Sequence, residues 1–297
     1  MRNKSLRRGK GIAVVTGATG IIGPSICAVL KRDGWSVAAC ASSKESFDYY
    51  AKCFPEPLAA DGRFVASLTE RAACRRLIAQ IEQRLGPVAL LVNNAATNPH
   101  GTQLKELTED YVQRMLGVDL LAPLWLTQAA GKSLVARRGS VINISSVRVT
   151  KLTPGNLLYP TAKAALEKLT EVLALELGRK GVRVNAIRVG GVPGPAFLRD
   201  TLAKLPRAKA RKLLADILPR HCAAAADQTA MKRAGTPLDV AEAVAFLASS
   251  RAEFFNGATL SLDGGFGLLG EDWPRVAEPW DSRKAVADWL KREGIKV

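Results

Sequence analysis

Short apolar runs recur along the chain, and each has the length of one β-strand. They occupy residues 11–16, 35–41, 63–67, 88–96, 140–146, 182–189 and 258–265. Helical patterns separate them; in one, Ala73, Leu77, Ile81 and Leu85 fall four residues apart and share one face. Strands that alternate with helices are joined by right-handed crossovers, which make the sheet parallel and place helices on both faces. The pattern predicts an α/β fold, a doubly wound (Rossmann) sheet of about seven mostly parallel strands.

Two segments interrupt this alternation, and no low-complexity linker divides the chain. We therefore predict a single domain over residues 11–267, preceded by a basic flexible tail at 1–10. A Pro-, Lys- and Ala-rich insert at 193–235 is predicted to be a substrate lid, because long segments after a late strand often cover a site. Residues 268–297 form a C-terminal tail whose apolar stripe predicts a contact between subunits.

The chain is strongly basic, with a formal net charge of +16 from 43 Lys and Arg against 27 Asp and Glu. Such an excess raises nucleic acid as a partner. The excess is concentrated in the first ten residues and in residues 199–220, and no basic helix interleaved with aromatics and no zinc-finger spacing accompanies it. Nucleic-acid binding is therefore disfavoured.

Cysteine usage and hydropathy bear on where the protein works. The five cysteines are odd in number and form no CxxC pair, which is typical of buried thiols in a reducing compartment. No apolar segment follows the charged N-terminus, and no run approaches the roughly 18 apolar residues of a membrane span. We expect a cytoplasmic protein with no membrane partner, and we predict no metal site.

A glycine-rich turn, "VVTGATGIIG", joins the first strand to the first helix. Glycines allow positive φ and let a phosphate approach where no Cβ intrudes, and the helix N-terminus offers free N–H groups. At the first βα junction this predicts dinucleotide binding, with a plain tight turn as the alternative. The assigned residues are Gly17, Thr19, Gly20, Ile22 and Gly23.

The end of the second strand bears on the choice of cofactor. An acid at this position usually binds the ribose 2′-OH of NAD and repels a 2′-phosphate. Here the strand runs into Ser42, Ser43 and Lys44, and the first acid is Glu45. NADP(H) is therefore favoured over NAD(H); a polar strand end that faces solvent is the alternative.

Reactive side chains follow the fifth apolar run. Tyr159 and Lys163 are four residues apart, so they share a helical face. A free tyrosine titrates near pH 10, and a nearby ammonium group stabilises the phenolate. Ser146, at the end of the run, could hold a substrate oxygen beside the phenol. The alternative for Tyr159 and Lys163 alone is a surface pair.

In this order the motifs resemble the short-chain dehydrogenase/reductase family, in its compact single-domain branch, with similarity to 3-oxoacyl-[acyl-carrier-protein] reductase-like members. The resemblance covers residues 11–267 and includes "NNAA", "SS" before "YPTAK", "VRVNAI", "GTPLDVAEAVAFLAS" and "NGATLSLDGG". The glycine spacing is the one departure that looks more like the longer, extended branch.

The resemblance implies a role for each matching residue. Tyr159 would be the acid/base, Lys163 would bind the nicotinamide ribose, and Ser146 would position the substrate oxygen. Asn94 would contact the adenosine ribose and Leu68 would cover the adenine. The other implied cofactor contacts are Ala95, Gly190 and Val192.

Two departures affect the catalytic set. Asp119 stands where the family usually has an asparagine that holds a relay water, so we expect an altered relay and a contact with Lys163 through a bridging water. The threonine that usually follows the sixth strand is absent from "VGGVPGP".

The sequence thus predicts an enzyme, an NAD(P)-dependent oxidoreductase that interconverts a ketone and a secondary alcohol with NADP(H). Two alternatives stay open: a dinucleotide-binding protein with little or no catalysis, and an epimerase or dehydratase that recycles its nicotinamide. The basic residues of the lid and Arg148 leave two interpretations open, a small anionic substrate or a solvated basic face. The family resemblance implies a homodimer or homotetramer.

Overall fold

A computed structural model describes residues 10–54, 56–97, 104–153, 156–194, 198–268 and 282–295. Most of the predicted basic tail, residues 1–9, and part of the C-terminal tail, residues 269–281, lie outside the described residues.

Seven strands form one sheet in the order β3-β2-β1-β4-β5-β6-β7, and every neighbouring pair is parallel. The strands are β1 Ile12–Thr16, β2 Ser36–Ala41, β3 Gly62–Val65, β4 Val88–Asn93, β5 Ser140–Ser146, β6 Arg183–Val189 and β7 Thr259–Leu262. Each strand lies in or overlaps one of the apolar runs. The prediction of a doubly wound parallel sheet is therefore confirmed.

Helices cover both faces of the sheet. They are α1 Gly23–Arg32, α2 Lys44–Cys53, α3 Arg71–Leu85, α4 Glu109–Leu116, α5 Ala122–Arg137, α6 Leu158–Gly178, α7 Arg199–Lys204, α8 Arg207–Asp227, α9 Pro237–Ala248 and α10 Ser282–Arg292.

Alternate residues of the central strands enter opposite hydrophobic cores. On β1, Ala13 and Val15 pack in a core that includes α1 and α9, whereas Val14 packs in the core under α3 and α5. A strand that is buried on both faces needs apolar residues at every position, which explains the continuous apolar runs.

The strand order reverses at β1, which lies between β2 and β4. Consecutive helices therefore leave this point on opposite faces, and a crevice opens beyond the carboxyl ends of the strands. The ends of β1, β2, β4, β5 and β6 carry the candidate site residues to this edge.

A single π-helical turn, Gly117–Leu121, joins α4 to α5 without a break in the helix. Such turns insert one extra residue into an α-helix and are frequent at functional sites. Asp119 lies in this π turn and is fully buried.

The predicted lid region contains α7 and α8, which form a third hydrophobic cluster with the end of α2 and with α10. Leu213 and Ile217 of α8 are buried there together with Val286 and Trp289 of α10. Trp289 Nε1 also donates to Asp216 Oδ2 at 2.7 Å. The apolar stripe of the C-terminal tail thus packs against the lid of its own chain, and its contact with another subunit stays a prediction.

All five cysteines are free, and four of them are buried. Burial raises the pKa of the Cys74 thiol to about 11. None of the described helices is long and apolar enough to cross a membrane. Within the described ranges, no cluster of His, Cys, Asp and Glu could hold a metal ion.

Candidate active site

A cleft of about 1060 Å³ opens at the carboxyl edge of the sheet. Most of the predicted site residues line it: Gly17, Thr19, Gly20, Ile22, Ser42, Leu68, Asn94, Ala95, Ser146, Tyr159, Lys163, Gly190 and Val192. Four predicted residues do not line it, namely Gly23, Ser43, Lys44 and Asp119. The fold therefore brings the glycine turn and the Tyr/Lys pair to one cavity.

Close packing against the β4 end requires glycines in the turn. Gly17 has a φ of 61°, and a Cβ there would lie 2.8 Å from Ala95 Cα. A Cβ on Gly23 would lie 2.4 Å from the Gly17 carbonyl oxygen. Gly23 thus shapes the turn from behind, which explains why it does not line the cleft.

Asn94 and Thr16 fasten the turn to the end of β4. Asn94 Nδ2 donates to the carbonyl oxygens of Thr16 and Gly17, at 2.9 and 3.1 Å. Thr16 Oγ1 accepts from the backbone N–H groups of Asn94 and Ala95, both at 3.0 Å. The asparagine that is predicted to contact the cofactor therefore also holds the glycine turn against the end of β4.

At the end of β2, the three predicted residues separate. Ser42 lines the cleft, whereas Ser43 is the N-cap of α2 and its Oγ accepts from Ser46 N at 3.3 Å. Lys44 is exposed outside the cleft. Ser46 lines the cleft instead, with its Oγ 3.4 Å from Ser42 Oγ. Its position four residues after Ser42, on the first turn of a helix, is the sequence signal that would have identified it.

These features fit a nicotinamide dinucleotide. The N-cap of α1, Ile22, makes no side-chain capping bond, so the first N–H groups of this helix remain available to phosphate oxygens. The glycine turn leaves a cradle that a Cβ would fill, and the cavity extends from there to Tyr159.

At the opposite end of the cleft, Lys163 is 2% exposed. Its Nζ donates to the Ile144 carbonyl oxygen at 3.1 Å and lies 5.6 Å from the centre of the Tyr159 ring. Burial by itself would lower the Lys163 pKa, but Asp119 and the Tyr159 phenol together raise it above the ordinary value. The ammonium group is therefore held charged beside the phenol.

Asp119 contacts Lys163 directly, so the expectation of a bridging water is wrong. Asp119 Oδ1 is 3.1 Å from Lys163 Nζ, and its Oδ2 accepts from Thr97 N at 2.8 Å. Asp119 lies in the π turn and its side chain is buried, so the carboxylate contacts the Lys163 ammonium group inside the protein.

The choice of Ser146 over Ser145 agrees with the hydrogen bonding. Ser145 Oγ donates to Glu167 Oε1 at 2.6 Å, and Arg188 Nε donates to the same oxygen at 2.9 Å. The Ser145 hydroxyl proton is thus committed to a buried ion pair. Ser146 Oγ instead accepts from Arg148 N at 3.2 Å, which leaves its own proton for a group in the cleft.

The cleft is also lined by polar and aromatic residues for which no role was predicted from the sequence, among them Tyr111, Arg114, His221, Gln228 and Phe266. Burial lowers the pKa of His221. Arg148 lines the cleft as expected, but the lid charges Arg207 and Arg211 are exposed and do not line it. No local pattern marks Arg114 or His221, because only the packing of α4 and α8 over the sheet brings them to the cavity.

The chain is similar to known proteins of one enzyme family along most of its length. Residues 17–267 match the family described as Enoyl-(Acyl carrier protein) reductase. The chain is 32% identical over 269 residues to (3R)-3-hydroxyacyl-CoA dehydrogenase of Canis lupus familiaris, covering 88% of this chain and 97% of that one. It is 28% identical over 261 residues to Short chain dehydrogenase/reductase astE of Aspergillus oryzae, covering 87% and 95%.

A solved structure named Ribose-5-phosphate Isomerase from Brucella melitensis superposes with a TM-score of 0.72 at 30% identity, covering 89% of this chain and 94% of that one. The names of these similar proteins differ in substrate, whereas the matched segment spans the glycine turn, the Tyr/Lys helix and β7 alike. The resemblance found in the sequence is confirmed, and the chain belongs to the short-chain dehydrogenase/reductase family of oxidoreductases.

Proposed function

We propose that this protein is an NADP(H)-dependent oxidoreductase that interconverts a ketone and a secondary alcohol, with Tyr159 as the acid/base. Family membership implies a nicotinamide dinucleotide, either NAD or NADP. The observation that carries the proposal is the single cleft that joins the glycine turn to Ser146, Tyr159 and the buried, charged Lys163.

The three side chains have separate tasks in this mechanism. Ser146 Oγ donates a hydrogen bond to the substrate oxygen and holds it beside the phenol. In reduction, Tyr159 transfers its hydroxyl proton to that oxygen, and in oxidation its phenolate accepts the proton. Lys163 keeps a positive charge next to the phenol and stabilises the phenolate when it forms. When bound, the nicotinamide supplies or accepts the hydride at the substrate carbon.

The choice of NADP(H) rests on the residues at the end of β2. Ser42 and Ser46 line the cleft there and can donate hydrogen bonds to a phosphate. No Asp or Glu lines the cleft in the described part of the chain. A dianionic 2′-phosphate would thus meet hydroxyl donors and no repelling carboxylate.

The same electrostatics supports an anionic substrate. Arg114 and Arg148 face a cavity that has no acidic lining among the described residues. The name of one similar protein, (3R)-3-hydroxyacyl-CoA dehydrogenase, makes 3-oxoacyl and 3-hydroxyacyl thioesters the first compounds to test. The 3-oxoacyl thioester carries a ketone and the 3-hydroxyacyl thioester carries a secondary alcohol. In each compound the acyl group is linked to a carrier that bears anionic phosphates.

Replacing Tyr159 by Phe tests the mechanism. The change removes the proton donor and little else, so turnover should be abolished while the cofactor-induced thermal shift stays near that of the wild type. Near-wild-type turnover in Tyr159→Phe would contradict the mechanism. Turnover without added NADPH would instead favour an epimerase or dehydratase, and cofactor binding with no turnover of any carbonyl compound would favour a binding protein.

We also propose that copies of the chain pack through α5 and α6 into a dimer or tetramer. On α6, Val172 and Leu175 are 52% and 77% exposed, although both are apolar. Light scattering should give at least twice the chain mass, and Leu175→Asp should shift the population towards the monomer. A monomeric wild type at micromolar concentration would contradict this proposal.

A further inference from the structure

Asp119 introduces a fixed negative charge directly beneath the catalytic pair. The side chain is 0% exposed and does not line the cleft, so it touches neither substrate nor cofactor from its buried position. Its two oxygens have defined neighbours, Thr97 N at 2.8 Å and Lys163 Nζ at 3.1 Å. The ammonium group therefore faces a carboxylate rather than a neutral amide or a water.

This carboxylate has two opposing effects on the site. It keeps Lys163 protonated in a fully buried position, because the ion pair offsets the desolvation of the ammonium group. It also neutralises most of the charge that Lys163 presents to Tyr159, since the pair has no net charge. A phenolate next to a neutral pair is stabilised less than a phenolate next to an isolated cation.

Few other charged groups lie close enough to Lys163 and Tyr159 to change the electrostatics of this pair. Glu167 follows Lys163 by one turn of α6, but its carboxylate is bonded to Ser145 and Arg188. Among the described residues, the other titratable or charged groups that line the cleft are Cys40 from β2, Tyr111 and Arg114 from α4, Arg148 after β5, and His221 from α8. Asp119 is the acid that pairs with Lys163 among the described residues.

We propose that Asp119 is a positioning residue that keeps Tyr159 in its proton-donating form across neutral pH, and so favours carbonyl reduction over alcohol oxidation. The inference rests on the proposed function, in which Tyr159 is the acid/base. In reduction, the substrate carbon gains a hydride from the reduced nicotinamide and the oxygen gains the Tyr159 proton; the resulting phenolate is reprotonated from solvent. Oxidation is the reverse and needs the phenolate first.

Asp119→Asn tests this electrostatic role with little change in shape. The amide oxygen can still accept from Thr97 N, while the positive charge of Lys163 becomes uncompensated. The Tyr159 phenolate should then be stabilised more than in the wild type. In the pH–rate profiles, the alkaline limb of carbonyl reduction and the acidic limb of alcohol oxidation should therefore both move by about one pH unit to lower pH. Oxidation at pH 7 should rise by up to about tenfold, since one unit is a factor of ten.

The charge-preserving variant Asp119→Glu is the matched control, and its limbs should stay near those of the wild type even if its turnover is lower. The wild type alone gives an independent test that needs no variant. Its rate of alcohol oxidation should still be rising at pH 7 and should reach a plateau only at alkaline pH, with the midpoint of that rise on the alkaline side of neutrality. The difference in tyrosinate absorbance between the wild type and Tyr159→Phe, followed against pH, should give the same midpoint.

Unchanged limbs in Asp119→Asn would overturn the inference. So would a shift to higher pH, because that sign means that Lys163 has lost its proton. A wild type that oxidises alcohols fully at pH 7 would also overturn it. Turnover by Tyr159→Phe would contradict the proposed function itself. If Tyr159→Phe is inactive but the pH–rate profiles of Asp119→Asn match those of the wild type, only the inference about Asp119 is wrong.

Discussion

Trp289→Ala should separate α8 from the C-terminal helix α10. Trp289 is 1% exposed and packs in the cluster that contains Leu213 and Ile217 of α8. Its indole N–H also donates to Asp216 at 2.7 Å. An isolated helix shorter than about 12–15 residues is marginal in water, and α10 spans 11 residues, so α10 should unfold once it no longer packs on α8.

The size of the effect follows from these contacts. Truncating a buried tryptophan to alanine costs about 3–5 kcal/mol. The buried residues of this cluster differ from those of the two cores that cover the sheet, although the partly buried Phe54 packs against both this cluster and the core around α1 and α9. The loss should therefore fall mainly on α8 and α10 rather than on the strands. At 1.4 kcal/mol for each factor of ten, amide exchange in α10 should accelerate by about a hundredfold to a few thousandfold, or lose all protection.

Hydrogen exchange followed by mass spectrometry measures this change segment by segment. Trp289→Phe keeps an aromatic ring and loses the donor to Asp216, so it should show a smaller acceleration, in line with about 1.5–3 kcal/mol for a hydrogen bond to a charged group. Because α8 contributes His221, Ala224 and Ala225 to the cleft, the KM for the carbonyl substrate should also rise in Trp289→Ala. Unchanged exchange in α8 and α10, or an equal acceleration in β1 and β4, would refute the argument.

Three further predictions concern the cofactor, the substrate and stability. Ser42→Asp should weaken NADP(H) binding and improve NAD(H) binding relative to it, as measured by titration; equal affinity of the wild type for both cofactors would contradict the assignment. Arg148→Ala should raise the KM without abolishing turnover, and wild-type kcat/KM should fall with salt, since the attraction is screened over about 8–10 Å; a preferred neutral substrate would argue against this. Arg233 holds the pKa of Asp239 below its ordinary value, so Asp239→Asn should lower the Tm at neutral pH. The difference in Tm between the wild type and Asp239→Asn should narrow below about pH 4, because the wild-type carboxylate becomes protonated and no longer stabilises the fold. A Tm difference that stays constant down to about pH 2 would contradict this prediction.

Local patterns in the sequence were enough to predict the strands, the shared face of the Tyr/Lys pair and the glycine turn. A parallel strand buried on both faces needs a continuous apolar run, so the runs located all seven strands and the fold class. Tyr159 and Lys163 share a helical face because four residues make about one turn, and this holds whatever surrounds them. The conformation of the glycine turn is also local, since the positive φ of Gly17 favours a residue without a Cβ.

Contacts between residues far apart in sequence became visible only in the folded chain. Asp119 pairs directly with Lys163 because the π turn directs its side chain beneath α6, and no sequence spacing encodes that contact. The lid charges Arg207 and Arg211 face solvent because the apolar side of α8 is taken by α10, a partner from the other end of the chain. Periodicity shows which face of an element is buried, whereas the group that covers that face depends on packing between residues far apart in sequence.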